Sequence, residues 1–168
     1  TTLFRSEGYL KKELVFSHLI SKEGTIELHK ALDMNLDKLN VGMDLATIID
    51  IKPIYFDYGK FDIRKDASIE LDKIVKIMNE NPSMVIELGS HTDCRGSMAS
   101  NDKLSANRAK ASAEYIKKRI SKPDRIYGKG YGESKLKNDC GCEGTVKSTC
   151  SEAEHQENRR TEFIIMKL

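Results

Sequence analysis

The 168-residue chain is 39% hydrophobic and 32% charged, with a net charge of +2 whose two signs are interspersed along its length. That balance suits a globular protein with a modest core, and it excludes a basic arm of the kind that grips nucleic acid, because no stripe concentrates Lys and Arg. No apolar run is long enough for a membrane-spanning helix, no secretory signal stands at the start, and the absence of Trp leaves no broad aromatic platform for sugars.

The chain opens Thr1-Thr2-Leu3 without a Met and reads as a piece of a longer protein. Residues 9–17 and 25–32 predict two strands joined at Lys22-Glu23-Gly24; in the second, Ile26 and Leu28 alternate with Glu27 and His29. Two strands make no stable sheet alone, so the pair is expected to end an upstream β-domain, with 33–47 as linker. From Ile48 the pattern changes, and Pro53-Ile54-Tyr55-Phe56 predicts a short strand. A helix capped near Asp66 follows, with Leu71, Ile74, Val75 and Met78 on one apolar stripe. Asn81-Pro82 stops it. Residues 84–88 predict the next strand, running through Gly89-Ser90 into His91-Thr92-Asp93. A second helix over about 102–120 buries Ala109, Ala113, Ile116 and Ile120 and ends at Ser121-Lys122-Pro123. Residues 125–128 and 161–166 predict the last strands. Strands alternating with helices imply an α/β (α+β) sandwich.

Asp93 falls where a strand ends, a common position for ligand-facing groups. Arg108 lies one helical turn after Leu104 on the same face, so the strand-to-helix turn brings both charges to one cleft. A carboxylate beside a guanidinium can bind a zwitterion: the acid accepts from an ammonium, and Arg grips a carboxylate through two N–H groups. The competing reading is an Asp–Arg pair that serves structure alone. The four cysteines stand at 94, 140, 142 and 150. In an oxidising compartment the last three read as a disulfide staple. In a reducing one they read, with His155, as a Cys₃His zinc set, although Cys-x-Cys is tighter than the common zinc knuckle. His91 beside Thr92-Asp93 suggests a His/Asp dyad, but no nucleophile in a strained turn accompanies it. Cys94 lacks a dedicated base and oxyanion donors.

Five blocks then fall into one pattern. Phe56-Asp57 with Asp62-Ile63, Gly89 through Gly96, Asn101 through Leu104-Ser105 to Arg108-Ala109, Gly130-Tyr131-Gly132-Glu133, and Asn158-Arg159-Arg160 resemble the OmpA C-terminal (OmpA-like) peptidoglycan-binding family in order and spacing. The resemblance covers about residues 48–168. It implies a βαβαβ-type domain with helices packed on one mixed sheet, here preceded by a short β segment. It also implies a non-enzyme that binds peptidoglycan through the diaminopimelate of the stem peptide, with no cofactor. The family's key Asp and Arg match Asp93 and Arg108. Asp62 matches the polar residue before Ile in the first block, Thr92, Leu104 and Arg95 match cleft-lining positions, and Arg160 matches a structural one.

Two departures stand out: Ser100 replaces a common Tyr, and a Cys-bearing insertion separates Gly132 from Asn158. Members with this insertion often follow a carboxypeptidase-regulatory-like β-domain, whose tail and linker residues 1–47 would form. The resemblance implies a periplasmic location, outer-membrane association through upstream regions, and partners among other cell-envelope or secretion-complex proteins. An oxidising periplasm favours disulfides over zinc. Cys140–Cys150 is the expected bridge because Gly141 lets the chain turn, with Cys142–Cys150 as the alternative and Cys94 and Cys142 left to pair or stay free. A cell-wall hydrolase or amidase and a zinc-stapled protein-interaction domain are the competing function classes.

Overall fold

The computed structural model describes residues 2–4, 9–14, 37–57, 59–142 and 148–168. The chain divides into two compact units, Thr1–Asn40 and Val41–Leu168. In the first, β1 (Thr2–Phe4) pairs antiparallel with β2 (Lys12–Leu14). The Leu10 N–H donates to the Asp37 carbonyl at 3.0 Å. Strand β2 lies within the first expected strand, 9–17; the second, 25–32, lies outside the described residues.

In the second unit, β3 (Val85–His91) is the centre of a mixed three-stranded sheet. It runs parallel to β4 (Ile126–Gly132) and antiparallel to β5 (Thr161–Lys167). Four helices accompany the sheet among the described residues: α1 (Leu45–Ile48), α2 (Lys65–Glu80), α3 (Met98–Lys117) and α4 (Glu152–Asn158). This is the arrangement of helices with one mixed sheet that the resemblance implied. No described helix is long and apolar enough to cross a membrane.

The strand expected at 53–56 does not form. Pro53 has no N–H to give a ladder, and the outer edge of β5 is already taken. The Gly42 N–H donates to the Ile165 carbonyl at 2.8 Å, and the Ile165 N–H to the Met43 carbonyl at 2.9 Å. The Phe163 N–H donates to Asp44 Oδ1 at 2.8 Å. The same oxygen accepts the Ala46 N–H at 3.0 Å and so caps α1. Part of the stretch read as linker therefore completes the sheet edge. Ile54 still buries its side chain.

Helix boundaries shift for local reasons. Helix α2 is capped at Arg64 rather than Asp66. The Asp66 carboxylate sits in the first turn, where it suits the positive helix end and accepts from Arg64 at 3.0 and 3.1 Å. Its buried face is Ala67, Glu70, Leu71, Ile74, Ile77 and Met78, which moves Val75 to the margin. Helix α3 begins four residues early because Ser97 Oγ accepts the Ser100 N–H at 3.2 Å.

Ile86, Leu88, Ile126, Phe163 and Ile165 of the sheet and Leu71, Ile74, Met78 and Ile116 of the helices form the core, all with no measurable exposure. Each contributes about 1.5–3 kcal/mol by leaving water. Helix α3 turns small buried residues, Ser105, Ala109 and Ala113, inward, and β4 meets it with Gly128 and Gly130. A Cβ at either glycine would overlap the backbone of Ala109 or Ala106. That close approach sets the start of α3 against the end of β3, where the candidate residues gather.

Candidate functional site

Thr92, Asp93 and Cys94 remain buried beyond the end of β3. The turn is held by backbone: the His91 N–H donates to the Arg160 carbonyl at 3.0 Å and the Thr92 N–H to the Gly132 carbonyl at 2.8 Å. Asn101, buried on the first turn of α3, donates Nδ2 to the Asp93 carbonyl at 3.2 Å and to Glu133 Oε2 at 2.5 Å. Disulfides join Cys94 to Cys142 and Cys140 to Cys150. The turn is therefore stapled to the insertion. With all four sulfurs bonded in pairs, none is a thiolate for zinc, and Cys94 is no nucleophile.

The Asp93 carboxylate accepts four N–H groups. Oδ1 takes the Arg95 backbone N–H at 3.1 Å. Oδ2 takes Arg95 Nε at 3.0 Å, Arg95 Nη2 at 2.6 Å and Arg159 Nη1. Burial alone would push this carboxyl up; the bonds from Arg95 and Arg159 outweigh it and hold the group below the usual carboxylate range. Glu152 takes the outward edges of the same two guanidinium groups. Its Oε2 accepts Arg95 Nη1 at 2.7 Å and its Oε1 accepts Arg159 Nη2 at 2.5 Å.

Arg108 is not paired with Asp93. Its Nε donates to the Lys60 carbonyl at 3.1 Å and its Nη2 to the Asp57 carbonyl at 3.4 Å. The guanidinium lies 4.9 Å from the centre of the Phe56 ring. Burial, and then the charge of Arg159, bring its pKa down. Among the described residues no carboxylate forms an ion pair with it. Arg159 bonds Asp93, and its charge is a lesser cause of the lowered Arg108 pKa. Thr92 is buried with no hydrogen-bond partner for Oγ1 among the described residues, Leu104 is half-buried, and Asp62 is exposed two residues beyond the Lys60 carbonyl. Arg160 turns away, with Nε on Glu162 at 2.7 Å and Nη1 on the Lys135 carbonyl at 3.1 Å.

Arg159 and Glu152 reach the site through α4, a helix the sequence reading passed over. Its signal was present as Ser151-x-x-Glu154. Ser151 Oγ accepts the Glu154 N–H at 3.4 Å, and Glu154 Oε2 accepts the Ser151 N–H at 2.7 Å, a reciprocal cap. Asn158, fully buried, anchors the far end by accepting the Lys137 N–H and donating to Asn138 Oδ1, both at 2.7 Å.

His91 belongs to a separate cluster. Its ring is buried, stacks on Tyr131 at 5.0 Å and lies 3.2 Å from Glu162 Oε2. Contact with His91, followed by Arg160 against the opposing effect of burial, holds the Glu162 carboxyl down to about 2. A hollow of about 260 Å³ opens against the Cys94–Cys142 bridge, between Met98, Glu133 and Leu136. None of Asp62, Thr92, Asp93, Arg95, Leu104 or Arg108 lines it.

The model of the OmpA family matches residues 55–149, more than half of the chain. The outer membrane porin F of Pseudomonas fluorescens is 31% identical over 114 residues, 68% of this chain and 31% of that protein. The peptidoglycan-associated lipoprotein of Rhizobium meliloti (strain 1021) is 33% identical over 82 residues, 49% of this chain and 47% of that one. The chain thus spans less than half the length of either relative. The solved peptidoglycan-associated lipoprotein of Burkholderia pseudomallei superposes with a TM-score of 0.54 at 21% identity, over 68% of this chain and 90% of that one, and shares the fold.

Proposed function

The chain belongs to the OmpA family, and from that membership we propose that residues 48–168 bind peptidoglycan without cutting it, by gripping the diaminopimelate of the stem peptide. Arg108 carries the reading. It is a half-buried guanidinium steadied by two backbone carbonyls, and no carboxylate of the described chain forms an ion pair with it. Its remaining N–H groups suit a ligand carboxylate, which a planar guanidinium holds through two parallel bonds. Asp93 Oδ1 accepts a single N–H, which leaves it capacity for the ammonium on the same ligand carbon. Thr92, Leu104 and Asp62 border the grip, and Arg95 holds Asp93 ionised.

Binding rather than catalysis is supported by the bonded sulfur of Cys94 and the burial of His91 against Tyr131. The names of the relatives, an outer membrane porin and a peptidoglycan-associated lipoprotein, support a periplasmic domain associated with the outer membrane through upstream regions. Residues 1–47 would be the tail of a carboxypeptidase-regulatory-like β-domain and its linker. That order of domains resembles the Type IX secretion component PorE, and in such a setting the domain would anchor a secretion complex to the cell wall.

Sedimentation with insoluble peptidoglycan tests the reading. The domain is expected in the pellet, with no soluble fragments released from the wall. A domain that stays in the supernatant sinks the binding reading, and released fragments return the hydrolase.

A further inference from the structure

Two guanidinium groups lie between two carboxylates of unlike exposure: the side chain of Asp93 is 8% exposed and that of Glu152 is 70% exposed. Asp93 Oδ2 already accepts three N–H groups. The outward donors are Arg95 Nη1 and Arg159 Nη2, the ones an arriving anion would meet first, and Glu152 accepts from both. A guanidinium whose outward fork is filled offers little to a second carboxylate. The charges of Asp93 and Glu152 offset those of Arg95 and Arg159. Arg108 remains as the guanidinium of this cluster with no ion-pair partner among the described residues.

We propose that Glu152 is a specificity-determining residue of the site: by filling the outward edges of Arg95 and Arg159 it leaves one uncompensated guanidinium, so the site takes a group that carries an ammonium and a carboxylate together in preference to an anion. This rests on the reading of Asp93 and Arg108 given above and assigns a role to the insertion, whose helix delivers Glu152. With the charge of Glu152 removed, one further positive charge faces the ligand and the N–H groups of Arg95 Nη1 and Arg159 Nη2 are held less tightly, although Gln156 still accepts from Arg159 Nη2. A peptide that has lost its ammonium is then drawn in, where before it met a site tuned to a zwitterion.

Calorimetry with two ligands tests this: a tripeptide ending in diaminopimelate, and the same peptide with its terminal amine acetylated. The unaltered chain is expected to prefer the first. In Glu152→Gln the preference should narrow by about tenfold, equivalent to about 1.4 kcal/mol, chiefly through tighter binding of the acetylated peptide. Glu152→Asp keeps the charge and should keep the preference within about threefold. A merely structural role would weaken both peptides alike and leave their ratio unmoved. An unchanged ratio in a Glu152→Gln protein that melts like its parent overturns the inference and leaves the site reading standing. If the unaltered chain binds neither peptide, the site reading falls and the inference with it.

Discussion

Replacing Arg108 by Ala removes the group on which the binding reading depends. In the structure its guanidinium is already held by the carbonyls of Lys60 and Asp57, so little further ordering would be needed to meet a carboxylate. Losing one partner of a desolvated, hydrogen-bonded charge pair costs about 2–5 kcal/mol. Solvent reaches this half-buried side chain from one side, which screens the pair and points to the lower part of that range, about 2–3 kcal/mol. The dissociation constant for a diaminopimelate tripeptide should then rise about thirty- to two-hundredfold. Arg108→Lys keeps the charge but not the paired geometry, and should fall between, near a tenfold loss. The fold should suffer little, because the two lost bonds go to an exposed loop and each contributes only about 0.5–1.5 kcal/mol net. Calorimetry gives the affinity and a thermal melt checks the fold. If Arg108→Ala titrates like its parent and remains folded, the ligand carboxylate goes elsewhere.

A lysine-type stem peptide keeps the amine but lacks the carboxylate beside it, so Arg108 stays unpaired and affinity should be at least about tenfold weaker; equal affinities by calorimetry would refute the pairing. The two bridges enclose loops of unlike span, 48 and 10 residues apart in sequence. On chain entropy alone, Cys94→Ser with Cys142→Ser should cost about 4 kcal/mol, against about 3 for Cys140→Ser with Cys150→Ser. Urea unfolding of the two double variants reads the order directly, and non-reducing peptide mapping reads the pairing. Glu162 is held down to about 2 in the folded chain from an ordinary value of 4.5, chiefly by His91 and then by Arg160. A lowered carboxyl gives stability that is whole above the unfolded value, so its contribution should fade as pH drops from about 4.5 towards 2. Melting temperatures across that window should fall less steeply in Glu162→Gln than in the parent, and parallel curves would remove Glu162 as the cause.

The part of the fold most legible in the sequence is the part that local patterns dictate. The apolar spacing of Leu71, Ile74 and Met78 marks α2, and the small residues Ala109 and Ala113 mark the face that meets Gly128 and Gly130. Pro53-Ile54-Tyr55-Phe56 reads as a strand on residue type, and in the structure Ile54 buries its side chain without pairing. Whether that segment pairs depends on a distant edge, and Asp44 and Met43 had taken it. Asp93 and Arg108 could be singled out from their positions at a strand end and on a helix face. Their actual partners could not. Arg159 lies 66 residues beyond Asp93, and Glu152 meets Arg95 from 57 residues away. Neither contact follows from any local spacing. The nearest local clue was the Ser151-x-x-Glu154 cap, which announces a helix but not where that helix docks.

That docking explains why the insertion matters to the site. Asp93 sits in a buried turn, and a buried carboxylate stays ionised only if its oxygens are met by donors. Arg95 supplies the local ones. Arg159 supplies the last, and it stands where it does because α4 is fixed at three points: the Cys140–Cys150 bridge just before it, the reciprocal cap at its start, and Asn158 at its end holding Lys137 and Asn138. The Cys94–Cys142 bridge ties the same insertion to the residue after Asp93. The sheet depends little on these contacts, since the ladder of β3 runs to β4 and β5 and the fully buried side chains Ile86, Leu88, Ile126, Phe163 and Ile165 lie on the strands. Opening the insertion should therefore loosen the donors around Asp93 more than the sheet that carries it, so that in the proposed site the insertion would set the charge balance offered to a ligand and the sheet its position.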